Sequence, residues 1–147
     1  MSADPDRALL VASLAFAGAA VAGSEVAIRD ELPGQPCGIS IPLSVRAGLL
    51  AGWGAGVAAP WPMPVAAVIA AARSRRTWPS ALTGAVCAGI GIGCVLGTAI
   101  EPVTFRPRSW SPATKSAIVF NMAASAALIA AGWRHLAAAR TRPPRPG

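Results

Sequence analysis

Four long runs without a charged side chain dominate this sequence, and they constrain its fold more than any other feature. The runs hold 17, 26, 24 and 18 residues and cover 8–24, 47–72, 77–100 and 116–133. A helix needs about 20 apolar residues to cross the hydrocarbon core of a bilayer. The first run reaches that length if it continues through Glu25 to Ile28. The sequence therefore predicts an all-α integral membrane protein, a compact bundle of four transmembrane helices.

Composition and charge support the same class of protein. Only 13% of the residues are charged, whereas a soluble domain carries about 25%. The net charge of +7 could suit nucleic acid, but the arginines lie at the ends of the apolar runs, where lipid head groups and topology account for them. We therefore predict the lipid bilayer as a partner and no nucleic acid. The sequence has twelve arginines, one lysine and no tyrosine. This bias is typical of a GC-rich bacterial genome.

The helix boundaries follow from capping residues and prolines. Asp4-Pro5 and Ser111-Pro112 each place a capping side chain before a proline, the usual start of a helix. We predict one transmembrane domain, residues 1–140, followed by a disordered, basic, proline-rich cytoplasmic tail at 141–147. Its four spans are predicted at about 8–28, 47–72, 79–100 and 113–136.

Orientation is predicted from the excess of arginine and lysine on the cytoplasmic side of membrane proteins. With four spans, eight of these residues lie on the side of the termini and five on the other side. Both termini are then cytoplasmic in the cell membrane. If residues 47–72 are re-entrant, three spans remain, the split becomes nine against four, and the N-terminus lies outside. The length of 47–72 favours a full crossing.

A proline triplet interrupts the second run, at Pro60-Trp61-Pro62-Met63-Pro64. Each proline lacks an N–H group and biases the preceding residue towards extended geometry. A regular helix through 59–64 is therefore not expected. Broken helices of this kind form binding sites in transporters. The alternative is a kinked helix whose free carbonyl groups meet polar side chains of a neighbour.

Small residues recur at four-residue spacing in the second and third runs. Such patterns let helix backbones approach closely in lipid. We expect contact within the bundle between the second and third spans, and specific dimerisation is the alternative. The glycines are Gly48, Gly52 and Gly56 in the second run and Gly89, Gly93 and Gly97 in the third.

Polar residues form a stripe on each of the last two spans, and polar residues in a span usually face the interior of the bundle. On the third span the stripe is about 80° wide at 100° per residue. We expect it to pack against the stripe of the fourth span. The members are Thr83, Cys87, Gly91, Cys94, Thr98 and Glu101 on the third span, and Thr114, Asn121, Ser125 and Gly132 on the fourth.

Two acidic residues reach the membrane, and with Asn121 they are the candidates for binding a ligand or coupling protons. An intramembrane carboxylate is a functional candidate by default. Glu25 lies about one turn inside the outer end of the first span, and Glu101 lies at the outer end of the third. The structural alternatives are an i,i+4 ion pair of Glu25 with Arg29 and an interfacial Glu101 near Arg106 or Arg108.

No catalytic residue, cofactor or metal site is predicted. Cys87, Cys94 and Glu101 are separated by seven residues each, about 10.5 Å along a helix, which is too far for one ion to bind two of them. His135, the single histidine, is interpreted as an interface residue.

The sequence favours a non-enzymatic membrane component that acts by associating with lipid, with another membrane protein or with a second copy of itself. The alternative function is a small transporter or permease subunit that uses the broken second helix together with Glu25, Asn121 and Glu101.

Overall fold

A computed structural model of the chain describes residues 5–73, 80–106 and 110–141. Within these ranges the regular structure is helical, without a strand longer than an isolated bridge. Three helices are long and apolar enough to cross a membrane, namely α1, α4 and α5. The helices are α1 (Pro5–Arg29), α2 (Val45–Ala51), α3 (Pro62–Arg73), α4 (Ser80–Ile100) and α5 (Pro112–Thr141), with short 3-10 turns at Pro36–Gly38 and Pro102–Phe105.

Contacts at the two ends of α5 define the direction of the helices. At one end, which we call the His135 end, His135 Nδ1 lies 3.1 Å from a carboxylate oxygen of Asp6 in α1. At the other, which we call the Glu101 end, the Ser111 hydroxyl donates to Asp30, just after α1, at 3.3 Å. Helix α5 is therefore antiparallel to α1.

The contacts of α4 with α5 show that these two helices are antiparallel as well. Near the His135 end, a Cβ placed on Gly84 would lie 2.7 Å from the carbonyl oxygen of Gly132. Near the Glu101 end, Asn121 Nδ2 donates to Thr98 Oγ1 at 3.2 Å. Helices α1 and α4 therefore run parallel to each other, and the chain between them returns from the Glu101 end to the His135 end.

Helix α3 makes most of this return. Its Met63 Sδ lies 3.5 Å from Cys94 Sγ near the Glu101 end of α4. Its Ala67 carbonyl lies 3.8 Å from Cys87 Sγ, two turns nearer to the His135 end. With 12 residues, α3 is about 18 Å long, which is short of a bilayer core of about 30 Å. Residues 52–61, between α2 and α3, are irregular.

The second run is broken as predicted, but the irregular chain begins at Gly52, so that it includes Pro60 and ends before Pro62. Helix α2 ends at Ala51 and is capped by Gly52, whose φ of 87° lies in the left-handed region and whose N–H donates to the Gly48 carbonyl. Gly54 has a φ of 83° as well. Pro62 is the first residue of α3, where a proline is favoured because that N–H has no helical partner anyway. Pro64 falls in the same first turn. Pro62 and Pro64 therefore lie in the first turn of α3, whereas Gly52 caps the end of α2.

The other boundaries lie close to the predicted spans. Helix α1 extends from 5 to 29 and α5 extends to Thr141, five residues beyond the predicted end at 136. Ser111 caps α5 as expected, since its hydroxyl accepts the N–H of Thr114 at 3.0 Å. The basic turn at 74–76, Asp4 and the tail beyond Thr141 lie outside the described residues.

The predicted glycine contact between the second and third spans is not the one the structure uses. An added Cβ would meet nothing within 4 Å at Gly89, Gly93, Gly97 or Gly52. Gly48 and Gly56 are buried, but they share no helical face because α2 ends at Ala51. The close helix contact lies instead between α4 and α5, at the glycines Gly84, Gly91 and Gly132. Helix α4 therefore packs on α5 through the face of Gly84 and Gly91, and not through the face of Gly89, Gly93 and Gly97 that the four-residue spacing suggested.

The predicted polar stripes are confirmed. All six stripe residues predicted on the third span, five in α4 and Glu101 directly after it, and all four of α5 are buried. Large apolar side chains point outward instead, among them Leu14 and Val21 on α1, Leu96 on α4 and Phe120 on α5. This arrangement, polar inside and apolar outside, is the one expected of helices solvated by lipid.

Candidate functional site

The irregular chain of residues 52–61 leaves a cavity of about 110 Å³ between itself, α4 and α5. A water molecule needs about 10–15 Å³ by this measure, so the cavity has room for several waters or for a small ligand. Residues that matter for its chemistry are Pro60, Met63, Cys94, Glu101 and Asn121. The exposed residues Gly52 and Trp53 also line it, so its wall reaches the protein surface.

Glu101 is the charged group of this cavity and is only 7% exposed. It follows directly on α4, and its two carboxylate oxygens accept the backbone N–H of Gln35 at 2.9 and 3.2 Å. Burial raises the pKa of Glu101 above its ordinary value, and the hydrogen bond from Gln35 offsets part of that rise. The carboxyl group therefore holds a proton at a higher pH than an exposed glutamate does.

A second cavity, of about 170 Å³, shares Glu101 with the first and is also lined by Pro33, Gln35 and Arg106. Glu101 thus lies in the wall of both cavities. Arg106, one of the two arginines expected near Glu101, lines this cavity with it, and Arg108 lies outside the described residues.

Asn121 contributes an unpartnered acceptor to the first cavity. The side chain is 2% exposed, and its amide nitrogen donates to Thr98 Oγ1. Its Oδ1 atom has no hydrogen-bond partner among the described residues. A buried acceptor left without a partner costs about 1–3 kcal/mol. A ligand or water that donates to Oδ1 would recover this free energy.

The proline segment contributes to the cavity through only part of its length. Pro60 and Met63 line the cavity, and Pro64 is buried within α3, whereas Pro62 is exposed. The Trp61 indole N–H donates to the hydroxyl of Ser24 in α1 at 2.9 Å. The segment therefore anchors α3 to α1 and places two of its side chains beside the cavity.

The structure does not bring the two predicted acids together. Glu25 is exposed on α1 and is not among the described residues that line either cavity. Arg29 contacts Asp30 directly, since its Nε lies 2.8 Å from a carboxylate oxygen of Asp30, and Glu25 adds a smaller Coulombic attraction to Arg29. Of the predicted candidates, Glu101 and Asn121 line the first cavity together with Pro60 and Met63. Glu25 lies outside this group.

Sequence reasoning missed two polar contacts between α1 and α5. Asp30 accepts hydrogen bonds from Arg29, Ser111 and Thr114, and the hydrogen bond from Arg29 is the main cause that lowers the pKa of Asp30. His135, expected at the interface, is 1% exposed and lies beside Asp6. These partners are about 80 or more residues distant along the chain, so spacing alone could not identify them.

The lining of the first cavity has the chemistry of a cation or proton site. It presents a carboxylate, an amide oxygen, a thiol and a thioether, all of which accept protons or donate electron pairs to a cation. Among the described residues, no three His, Cys, Asp or Glu side chains gather closely enough to hold a metal ion by themselves. Searches of protein-family models, of curated proteins and of solved structures found nothing that matches the chain.

Proposed function

We propose that the chain crosses the membrane four times, with both termini in the cytoplasm and with residues 52–73 as the second crossing. The parallel direction of α1 and α4 supports this topology, because a chain that leaves α1 at the Glu101 end has to return before α4 begins. Arginine and lysine counts support the orientation, since they are more numerous on the side of the termini.

Cys37 allows a direct test of this topology. It is exposed in the segment between α1 and α2, whereas Cys87 and Cys94 are buried. A membrane-impermeant maleimide applied to intact cells should label the parent protein, and Cys37→Ser should remove that label. Labelling that occurs only after the membrane is permeabilised would contradict four crossings with cytoplasmic termini.

Within this topology, we propose that the protein is a small permease, or the subunit of one, for a small cationic solute or for protons. The buried Glu101 carboxyl group in a cavity beside a broken span is the observation that supports this function most directly. Broken spans expose backbone and side chains to a central site in known transporters. A carboxyl group that can gain and lose a proton can also couple solute binding to proton movement.

Purified protein in liposomes that contain the pH dye pyranine tests the proposal. With a membrane potential imposed by potassium and valinomycin, the parent should pass protons faster than empty liposomes do. Glu101→Gln should abolish the added flux, because the amide cannot be protonated. Glu25→Gln is the matched control, since it makes the same change in an exposed acid at the same end of the bundle, and it should keep the flux. Equal flux in the Glu101→Gln variant would contradict the proposal.

A second candidate function is a non-enzymatic membrane component that acts by association. One observation favours it: Gly89 is exposed on α4 and an added Cβ would meet nothing within 4 Å. A small residue facing lipid lets another helix approach closely.

If a second copy binds there, Gly89→Leu should convert an oligomer in nanodiscs to a monomer, as measured by light scattering. Gly18→Leu, at an equally open glycine on α1, should leave the oligomer intact. A parent that is already monomeric would exclude a second copy as the partner.

A further inference from the structure

Two sulfur atoms meet in the wall of the first cavity. Cys94 Sγ on α4 lies 3.5 Å from Met63 Sδ on α3. Cys94 is 5% exposed, and both residues line the cavity that also contains Glu101 and Asn121. The contact is therefore a thiol–thioether pair with open space on one side, at the junction of the broken span with α4.

The separation of the two sulfurs suits a single bound metal ion. Metal–thiolate bonds are about 2.3 Å long, so two sulfurs that bind one ion can be at most about 4.6 Å apart. The observed 3.5 Å falls inside this limit. By contrast, Cys87 and Cys94 are two helical turns apart, so the second ligand has to come from α3.

The identity of the two ligands selects the class of ion. Thiolate and thioether are soft ligands that favour Cu(I), whereas carboxylate, carbonyl and water suit Mg²⁺, Ca²⁺ and Mn²⁺. Net charge favours a monovalent ion as well. One thiolate and one monovalent cation sum to zero, and a neutral pair avoids the free-energy cost of an uncompensated charge in the membrane interior.

We propose that Met63 and Cys94 bind one soft monovalent metal ion, of the Cu(I) or Ag(I) class, in the cavity beside Glu101. This inference rests on the proposed permease function for the role of the cavity and names the class of ion that the cavity takes. As the ion binds, the Cys94 S–H bond breaks and a sulfur–metal bond forms. One proton is released for each ion, and neither the sulfur nor the metal changes oxidation state.

Titration of Cu(I) into the protein tests this site. The protein is placed in nanodiscs under anaerobic conditions, and bathocuproine disulfonate serves as the competing chelator. Cys37→Ser is the background for every sample, because the exposed Cys37 thiol would bind Cu(I) by itself. We expect one Cu(I) per chain and the release of one proton per Cu(I). Cys94→Ser should lose the ion, and Met63→Leu should weaken binding by about tenfold or more.

Two controls separate this site from general sulfur chemistry. Cys87→Ser removes the other buried thiol, and Met122→Leu removes a methionine that packs in a different cluster. Both should bind Cu(I) as tightly as the background protein. Unchanged Cu(I) binding in either Cys94→Ser or Met63→Leu would overturn the proposal. Because leucine has nearly the volume of methionine, Met63→Leu keeps the test valid even if Cys94→Ser does not fold.

The outcomes for the metal and for the permease can be told apart. Proton flux that depends on Glu101, without any Cu(I) binding, would reject the metal site and leave the permease in place. Cu(I) bound at Met63 and Cys94 in a protein that passes no protons or copper in liposomes would support the metal site and reject the permease.

Discussion

A close backbone contact between α4 and α5 yields a quantitative prediction for Gly132→Ala. An added Cβ at Gly132 would lie 2.7 Å from the backbone nitrogen of Ala88 and 2.8 Å from the carbonyl oxygen of Gly84. Both are backbone atoms of α4, so no side chain can rotate away. Ordinary contact begins at about 3.4 Å, and the helices would therefore have to separate locally by about 0.7 Å.

The size of the effect follows from two opposing terms. Overpacking of this kind costs about 1–3 kcal/mol, while alanine gains about 1 kcal/mol over glycine within a helix. Gly132→Ala should therefore lower the free energy of unfolding by about 0–2 kcal/mol. Gly89→Ala is the matched control, since it makes the same change in open space on α4 and should raise stability by up to about 1 kcal/mol. The difference between the variants is about 1–3 kcal/mol, or about 3–10 °C in Tm for a chain of this size.

The buried cysteines supply the assay. In a Cys37→Ser background, a maleimide dye that fluoresces on reaction with thiols reports when Cys87 and Cys94 become accessible during heating. The midpoint should be lowest for Gly132→Ala and highest for Gly89→Ala. If the two variants melt at the same temperature, α4 and α5 are not held by the contact described here.

Three further predictions concern the ends of the helices. Because burial raises the pKa of Glu101 above 4.5, the folded state holds this proton more tightly than the unfolded state. The contribution of Glu101 to Tm should therefore be greatest below about pH 4.5 and fall as pH rises through the raised pKa. Glu101→Gln should remove this part of the pH dependence of Tm, while Glu25→Gln keeps it. Trp61→Phe, which removes the hydrogen bond to Ser24, should cost about 1 kcal/mol in a denaturant titration, and an unchanged midpoint would contradict its role as an anchor. Ser111→Ala removes the cap of α5 and should cost about 1 kcal/mol by the same titration, whereas a change within error would mean that water replaces the cap.

The periodicity of the sequence was enough to predict the interior of the bundle. On α4 the stripe from Thr83 to Glu101 repeats at helical spacing, and lipid leaves polar groups no favourable position except the interior. The same reasoning predicted the burial of Asn121 and Ser125 on α5. Such predictions succeed because the helix is regular, so that a residue's position along the chain determines the face on which it lies.

Features that depend on irregular chain or on distant partners could not be predicted in this way. The prolines indicated a break at 59–64, but a proline in the first turn of a helix is compatible with that helix, and the left-handed Gly52 ended α2 earlier. The glycine spacing on α4 suggested the wrong contact face, since Gly89 and Gly93 follow the same four-residue rule as a true interface. The Met63–Cys94 contact joins two helices whose register only the folded structure defines.

The irregular chain of residues 52–61 has a consequence for the way the protein enters the membrane. Its Gly56 N–H donates to the Leu32 carbonyl and its Trp61 N–H donates to the Leu49 carbonyl, both outside the segment. Exposed to lipid alone, these groups would be unsatisfied at a cost of several kcal/mol each. In the four-crossing topology proposed above, the second crossing therefore needs the segment around Leu32 and Leu49 beside it. We expect residues 52–61 to enter the lipid together with that preceding segment and not as an isolated span.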